Sequence, residues 1–203
     1  MYTIPKTMRG VYLTGNGGFE KLEYQTDIEV PTPKAEEVLV KIGAAAVNNT
    51  DVNTRIGWYS KNIKTETNRG GASGFKEDVE DDGSWLGQAM EFPRIQGADG
   101  CGTIVAVGEK VSQDRLGERV LIRSVQERET SENGIESITF GSECDGTFAE
   151  YATVRSEEAF VIDSSLSDKE LATFPCSYGT AQFLKPGNYV RQCFGIQPCS
   201  LKP

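Results

Sequence analysis

The sequence predicts a mainly β protein with short helices, arranged as a small barrel or sandwich. Short apolar-rich segments such as TIVAV at 103–107 recur along the chain, glycine-containing turns separate them, and no internal repeat or heptad pattern is present. Short strands punctuated by glycine turns are typical of antiparallel β folds rather than of helical bundles.

The first predicted strands lie at the start of the chain. Residues 8–13 alternate in part and end at the glycine-rich turn 15–18, after which 19–28 has the composition of a second strand. Two prolines then interrupt the pattern, and EVLVKIGAAA at 37–46 predicts a third, apolar strand.

A short helix and a long polar segment are predicted next. The Asn and Asp residues of NNTDVNTRIG are suited to a helix N-cap, so we expect a helix over 48–55 that closes at Gly57. Residues 61–90 are rich in Gly, Ser, Asn, Asp and Glu and have little periodicity, which predicts a surface loop or insertion.

The second half continues the β pattern. The predicted elements are, in chain order, a buried strand at 103–107, a turn and strand at 117–122, a polar excursion at 127–143, a strand at 146–154, and helix starts at 156–158 and 167–170. The last of these has the Ser-x-x-Glu spacing of a capping box. The glycines at 97, 100 and 102 are interpreted as residues that allow close backbone approach.

Composition excludes several classes of function. The net charge of −9 argues against a nucleic-acid partner, and no apolar run reaches the roughly 18 residues that span a membrane. The N-terminus lacks a signal-peptide pattern, so we expect a cytoplasmic protein. The five cysteines are irregularly spaced without C-x-x-C, which argues against a disulfide framework. The chain has no histidine, the commonest general base and zinc ligand.

Four blocks of sequence, in order, resemble those of the medium-chain dehydrogenases/reductases. They are PTPKAEEVLVKIGAAAVNNTDVNTRIG, then GADGCGTIVAVGEKV followed by LGERV, then GTFAEYATV, and finally ELATFPCSYGTA. The family includes zinc alcohol dehydrogenases and zinc-less quinone oxidoreductases. The resemblance implies a GroES-like distorted β-barrel over 8–165, with 166–203 beginning the connection to a cofactor domain.

The chain departs from the zinc enzymes of this family at the metal site. Where those enzymes carry a cysteine this chain has Asn48, and where they carry a His-Glu pair it has Ala98 and Asp99. Because these residues are poor substitutes for thiolate and imidazole, we predict no catalytic zinc. Asn48 agrees with the zinc-less branch, although that branch often has a tyrosine where this chain has Asn53.

A second departure concerns the cofactor half. In the family a Rossmann domain follows the GTA segment, but the residues after Ala181 contain no G-x-G-x-x-G and predict no pyrophosphate cradle. We therefore expect a substrate-side domain with an atypical, truncated tail, and a homodimer only if the missing domain is supplied. A catalytically incomplete fragment or binding remnant is the alternative.

The resemblance implies hydride transfer from NAD(P)H, with NADP(H) favoured, to a small-molecule carbonyl, enone or quinone. Asn48, Thr50 and Asp51 are the predicted catalytic residues, because a carbonyl that accepts hydride gains negative charge on oxygen and needs fixed donors. Thr50 matches the hydroxyl proton-relay position of the family. Helix capping is the alternative, weighed evenly for Asn48 and preferred for Asp51.

Three more residues are predicted to contact substrate or cofactor. Arg55 orients substrate or pairs with Asp51 on the same helix face, and the structural role is preferred. Tyr59 is a proton donor or pocket wall, with packing as the commoner role of a lone aromatic. The resemblance places Thr180 against the nicotinamide, while capping of the following helix is an equal alternative.

Asp99 is interpreted as a turn residue that bonds its own backbone. Cys101 precedes an apolar strand and is predicted to be buried and inert, whereas Cys144 lies in a polar loop and is predicted to be the more reactive thiol. A zinc site built from Cys101, Asp99 and Cys144 is disfavoured, because their spacing matches no known zinc pattern.

Overall fold

The computed structural model describes residues 2–75, 83–86, 89–129 and 135–183. The strands are β1 Thr7–Leu13, β2 Leu22–Glu29, β3 Glu37–Ala46, β4 Arg94–Ile95, β5 Asp99–Val107, β6 Arg119–Ile122, β7 Val125–Glu129, β8 Ile135–Thr139, β9 Tyr151–Arg155 and β10 Ala159–Val161. The helices are α1 Asn49–Ile56, α2 Asp168–Leu171 and α3 Pro175–Phe183, and single 3₁₀ turns occur at Phe19–Lys21, Thr67–Arg69, Gln113–Arg115 and Ser156–Glu158. The predicted mainly β fold with short helices is confirmed.

The strands form three antiparallel sheets. The largest has the order β10-β6-β5-β3-β9, the second has the order β2-β1-β4, and β7 pairs with β8 as a hairpin. A bridge between Gly10 and Ala149 joins the two larger sheets, and the amide of Val11 donates to the carbonyl of Phe148 beside it. The result is a curled half-barrel.

Strand β3 lies between β5 and β9 in the largest sheet, and its residues 38–40 are buried on both faces. Val38 and Val40 are fully buried in one apolar cluster with Ile104 and Val120, whereas Leu39 packs into a second cluster with residues of β1 and β2. Side chains alternate across a strand, so one apolar run supplies both clusters. The apolar run at 38–40 follows from that two-sided burial, whereas Lys41 and the alternate residues after it are exposed.

The predicted elements agree with the structure at several points. The third strand has the predicted bounds, α1 ends at Gly57 in the left-handed conformation with φ of 78°, and Ser167 begins α2 with the predicted capping box. Each of these features depends on side chains and backbone groups within four residues of one another, which a sequence pattern describes directly.

Other predictions need correction. The prediction of a polar excursion at 127–143 is wrong, because β7 and β8 form a hairpin in this segment. The strand predicted at 146–154 begins only at Tyr151, and 19–28 opens with a 3₁₀ turn before β2. In the described part of 61–90 a 3₁₀ turn occurs, and 76–82 and 87–88 lie outside the described residues. No helix in the described ranges has the length and apolar character needed to cross a membrane.

Candidate functional site

The candidate site is built on the N-terminus of α1, where Asn48 caps the helix. The Asn48 side-chain oxygen accepts a 3.3 Å hydrogen bond from the Thr50 backbone amide. The backbone amide of Asn48 in turn donates to the Asp51 carboxylate at 2.8 Å. Its Nδ2 donates across the site to Asp99 Oδ2 at 3.2 Å. Asn48 therefore caps the helix, and its Nδ2 also holds a carboxylate of β5. Its contact with a substrate oxygen stays a prediction.

Asp51 connects α1 to the segment before β5. One carboxylate oxygen accepts from the Asn48 amide, and the other accepts from the amides of Gly97 and Ala98 at 3.1 and 3.2 Å. Gly97 has φ of 107°, and a Cβ there would lie 2.5 Å from the Thr147 hydroxyl oxygen, so this close approach requires glycine. The carboxylate is thus engaged by three backbone donors, which favours a positioning role for Asp51.

Burial dominates the electrostatics of Asp51. Loss of solvent raises its pKa to about 6, and the nearby Asp99 charge acts in the same direction, although the three backbone donors oppose the shift. The predicted pairing with Arg55 is not formed among the described residues. Instead Arg55 donates to the Gly17 carbonyl at 2.6 Å, and its guanidinium lies 4.6 Å from the centre of the Phe19 ring.

Asp99 is the point where three parts of the fold meet. It is the first residue of β5, it is 1% exposed, and it accepts from Asn48, from the Ser124 hydroxyl at 3.4 Å and from the Cys176 amide at 2.6 Å. Burial raises the pKa of this carboxyl group. Its interpretation as a turn residue that bonds its own backbone is wrong, because its partners lie 25 to 77 residues away.

Tyr59 belongs to an aromatic cluster beside Thr50. Its hydroxyl donates to Thr50 Oγ1 at 3.3 Å, and its ring centre lies 5.5 Å from Trp58 and 5.0 Å from Trp85 in edge-to-face geometry. Burial raises the pKa of Tyr59, so the phenol keeps its proton at physiological pH. Its interpretation as a lone aromatic missed Trp85, which sits in a stretch read only as polar loop.

Asn53 contributes an unusual group beside this hydroxyl. Its side chain interacts with Tyr59 and is 7% exposed, yet its amide oxygen is buried and has no hydrogen-bond partner in the described part of the chain. Buried acceptors are nearly always satisfied, so an unsatisfied one marks a place where a bound group or water is needed.

Helix α3 brings Cys176 and Thr180 to the far side of Asp99. The bond from the Cys176 amide to Asp99 holds the first turn of the helix, and the exposed Thr180 hydroxyl interacts with the Cys176 thiol one turn later. Burial, with Asp99 and Asp51 nearby, raises the pKa of Cys176 to about 11, so it remains a thiol. Thr180 lies inside this helix, and Cys176 is a site neighbour that sequence reasoning missed.

The sequence also made predictions about Cys101 and Cys144, and the outcomes for these two thiols differ. Cys101 is fully buried, its thiol donates to Asp168 at 3.6 Å, and burial raises its pKa to about 11, which confirms it as buried and unreactive. Cys144 is half-buried against the core, and burial raises its pKa to about 12, which argues against the prediction that it is the more reactive thiol.

Comparison with known proteins identifies the relatives of this chain. Residues 34–164 match the family model described as the alcohol dehydrogenase GroES-like domain. The chain is 27% identical over 181 residues to a quinone oxidoreductase of Lama guanicoe and 28% identical to the one of Homo sapiens, aligning with 89% of this chain in each case. It spans 41% of the length of these two curated relatives.

Solved structures show the same likeness. A structure described as a candidate alcohol dehydrogenase of Sinorhizobium meliloti 1021 is 39% identical, with a TM-score of 0.69, and the match covers 88% of this chain and 46% of that one. A structure described as an NAD-dependent alcohol dehydrogenase is 26% identical, with a TM-score of 0.64 over 95% of this chain and 49% of that one.

Proposed function

The chain belongs to the alcohol dehydrogenase GroES-like domain family, within the medium-chain dehydrogenases/reductases, and on that basis we propose that it forms the substrate-facing side of an NAD(P)H-dependent oxidoreductase. The reaction is hydride transfer to the carbon of a carbonyl, enone or quinone. The observation that carries this proposal is the hydroxyl pair formed by Tyr59 and Thr50, which lies beside the Asn48–Asp99 contact at the N-terminus of α1.

The hydroxyl pair has the polarity that such a reaction needs. Tyr59 donates its proton to Thr50 Oγ1, so the Thr50 hydroxyl keeps its own proton for a third group. A substrate oxygen that gains negative charge during hydride transfer is stabilised by that donor, which is already oriented before the reaction. Because burial raises the pKa of Tyr59, the arrangement persists across physiological pH.

Asn48 and Asp51 support this donor rather than replace it. Both functional groups of the Asn48 amide are engaged, by the Thr50 amide and by Asp99, so Asn48 fixes the start of the helix that carries Thr50. Asp51 fixes the same helix to Gly97 and Ala98. In this proposal Thr50 touches the reacting oxygen, Tyr59 orients Thr50, and the two cap residues position both.

The hydride comes from a nicotinamide cofactor when one is bound, and we take NADP(H) as the preferred form by analogy with the zinc-less branch. Thr180 is exposed on α3 near Cys176, and its hydroxyl suits an amide or phosphate oxygen of such a cofactor. A dimer completed by a cofactor domain and a cytoplasmic setting belong to the same proposal. Arg55 has no part in it, because its guanidinium faces Gly17 and Phe19.

The proposal contains no catalytic zinc. Asp99 already accepts from three donors, and Asn48 offers an amide in place of a thiolate. No group of three or more Cys, Asp or Glu side chains with metal-binding geometry occurs among the described residues, so the ligand set of Cys101, Asp99 and Cys144 finds no support. These donors do not fit a zinc ion, and no step is assigned to one.

The test compares Thr50→Val with Thr50→Ser. Valine keeps the volume of threonine but removes the hydroxyl, so we expect kcat/KM for NADPH-dependent quinone reduction to fall by about 100-fold, the usual effect of losing one oxyanion donor. Serine keeps the hydroxyl and retains most of the rate, as followed by NADPH absorbance. Equal rates for the two variants contradict the role of Thr50, and no turnover by the unaltered chain with NADPH or NADH favours the incomplete-fragment alternative.

A further inference from the structure

The rings around Tyr59 form a cluster with a defined geometry. Trp85 and Trp58 flank Tyr59 at 5.0 and 5.5 Å, with interplanar angles of 83° and 66°, and all three side chains are half-buried. These are the two tryptophans of the entire chain. The Tyr59 hydroxyl reaches Thr50, so the ring it carries lies next to the place where the proposed substrate oxygen binds.

The backbone that carries Trp85 is held by the turn after β8. The amide of Trp85 donates to the Ser142 hydroxyl oxygen at 3.1 Å, and the amide of Leu86 donates to Glu143 Oε1 at 3.1 Å. The Ser142 hydroxyl donates to the same Glu143 oxygen at 3.2 Å, while Glu143 Oε2 accepts from the Thr139 amide at 2.7 Å. One carboxylate therefore joins the turn to the segment that carries the ring.

The direction of these hydrogen bonds makes Glu143 the group on which the attachment of the Trp85 backbone depends. A hydroxyl has one proton, and because Ser142 gives it to Glu143, only lone pairs remain to face the Trp85 amide. Ser142 is 3% exposed, so water does not readily replace these partners. Removal of the carboxylate takes away the acceptor of both the Leu86 amide and the Ser142 hydroxyl, which weakens the attachment of the segment that carries the ring.

We propose that the Tyr59–Trp85 pair is the specificity-determining wall of the substrate site, selective for planar conjugated carbonyl compounds over saturated ones, with Glu143 as its positioning residue. This inference rests on the proposed function. Aromatic rings in edge-to-face and offset contacts attract a flat π-system beyond the area they bury, and a puckered saturated ring gains no such contact. The unsatisfied Asn53 oxygen lies beside Tyr59, where a polar group of a ligand or a water satisfies it.

The proposal requires a ligand with both a planar ring and a carbonyl group, and three probes of eight carbon atoms each separate these two requirements. Acetophenone is planar and has a carbonyl, cyclohexyl methyl ketone has the carbonyl without the planar ring, and ethylbenzene has the ring without the carbonyl. Each is titrated into the full chain while the two indole N–H cross-peaks are followed by ¹H–¹⁵N NMR. Trp58→Phe and Trp85→Phe assign these two cross-peaks to their residues.

We expect acetophenone to shift the Trp85 cross-peak with a half-saturation concentration about fivefold below that of cyclohexyl methyl ketone, as one well-placed aromatic contact implies. Glu143→Ala brings that ratio close to one, and Glu143→Gln, which keeps one carbonyl oxygen, restores part of it. Trp85→Leu also brings the ratio close to one, with the Trp58 cross-peak followed in place of the lost Trp85 cross-peak. Glu109→Ala, at an exposed turn, leaves the ratio unchanged. The ratio is the decisive quantity, since a purely structural loss weakens both ketones equally.

The inference is overturned if the ratio survives Trp85→Leu and Glu143→Ala, if both ketones bind alike to the unaltered chain, or if no probe shifts either indole. If the dispersion of its NMR spectrum shows that Glu143→Ala is unfolded, Glu143→Gln and Trp85→Leu decide the question. Failure of the proposed function has a different signature. In that case acetophenone and ethylbenzene bind equally and Thr50→Val changes neither, while the preference for the planar ketone over the saturated one remains.

Discussion

Helices α1 and α2 begin with the same capping-box arrangement in opposite surroundings. In α1 the side chains of Asn48 and Asp51 each bond the backbone of the other, and in α2 Ser167 and Glu170 do the same. Asp51 is 5% exposed, whereas Ser167 and Glu170 are exposed. Burial raises the pKa of Asp51 to about 6, and hydrogen bonds from Ser167 lower the pKa of Glu170.

The comparison shows that one local motif serves two different purposes. The cap of α2 satisfies the first turn of its own helix and little else, as its hydrogen bonds stay within three residues. In the cap of α1, Asp51 also accepts from Gly97 and Ala98, and Asn48 donates to Asp99. A buried cap therefore fixes tertiary structure around the hydroxyl pair, and the exposed cap fixes only the start of a helix.

The largest expected effect comes from removing the buried carboxylate. Asp51→Ala leaves the amides of Asn48, Gly97 and Ala98 without their acceptor in a buried site, and we expect the free energy of unfolding to fall by about 4 kcal/mol. Urea unfolding followed by circular dichroism measures the change. A loss below about 1 kcal/mol would show that α1 is held mainly by other contacts. If the alanine variant is unfolded, Asp51→Asn provides the measurement.

The second prediction concerns pH. Because the folded-state pKa of Asp51 lies above its unfolded value of 3.8, the folded protein binds the proton more tightly, and this group stabilises the fold most at low pH. That contribution declines by about 3 kcal/mol as pH rises from about 4 to 6. The difference in unfolding free energy between the unaltered chain and Asp51→Asn, measured across this range, should therefore decrease with rising pH.

The cap of α2 supplies the opposite slope as a control for that measurement. Glu170 has a lowered folded-state pKa, so its contribution is present above its ordinary value of 4.5 and disappears as pH falls through the folded-state pKa. The difference between the unaltered chain and Glu170→Gln should increase with rising pH. Slopes of the same sign for the two variants would contradict the assignment of burial as the deciding cause.

The smallest effects distinguish Asn48, the N-cap residue of α1, from Ser167, the N-cap residue of α2. Asn48→Ala removes the cap of α1 and the donor to Asp99, so we expect a loss of about 2 kcal/mol. Ser167→Ala removes an exposed cap and should cost about 0.5 to 1 kcal/mol. Thermal and urea unfolding of both variants test this order. Equal losses would mean that the Asn48–Asp99 contact contributes no stability beyond capping.

Much of the fold followed from the sequence because its signals are local. The apolar run of Val38, Leu39 and Val40 and the cap spacing of Ser167 and Glu170 each involve groups separated by a few residues. The hairpin of β7 and β8 was hidden, since a polar strand outside the two main clusters lacks the apolar pattern that strand prediction uses.

The sequence by itself determined the antiparallel β character, the helix that carries Thr50, and the family blocks that contain it. Only the tertiary structure decided that Asp99 is a buried junction, that Cys144 packs half-buried against the core, and that Trp85 flanks Tyr59. The physical reason is distance along the chain. The Asp99–Cys176 bond joins residues 77 positions apart and the Trp85–Ser142 bond joins residues 57 apart, so no local pattern encodes either contact.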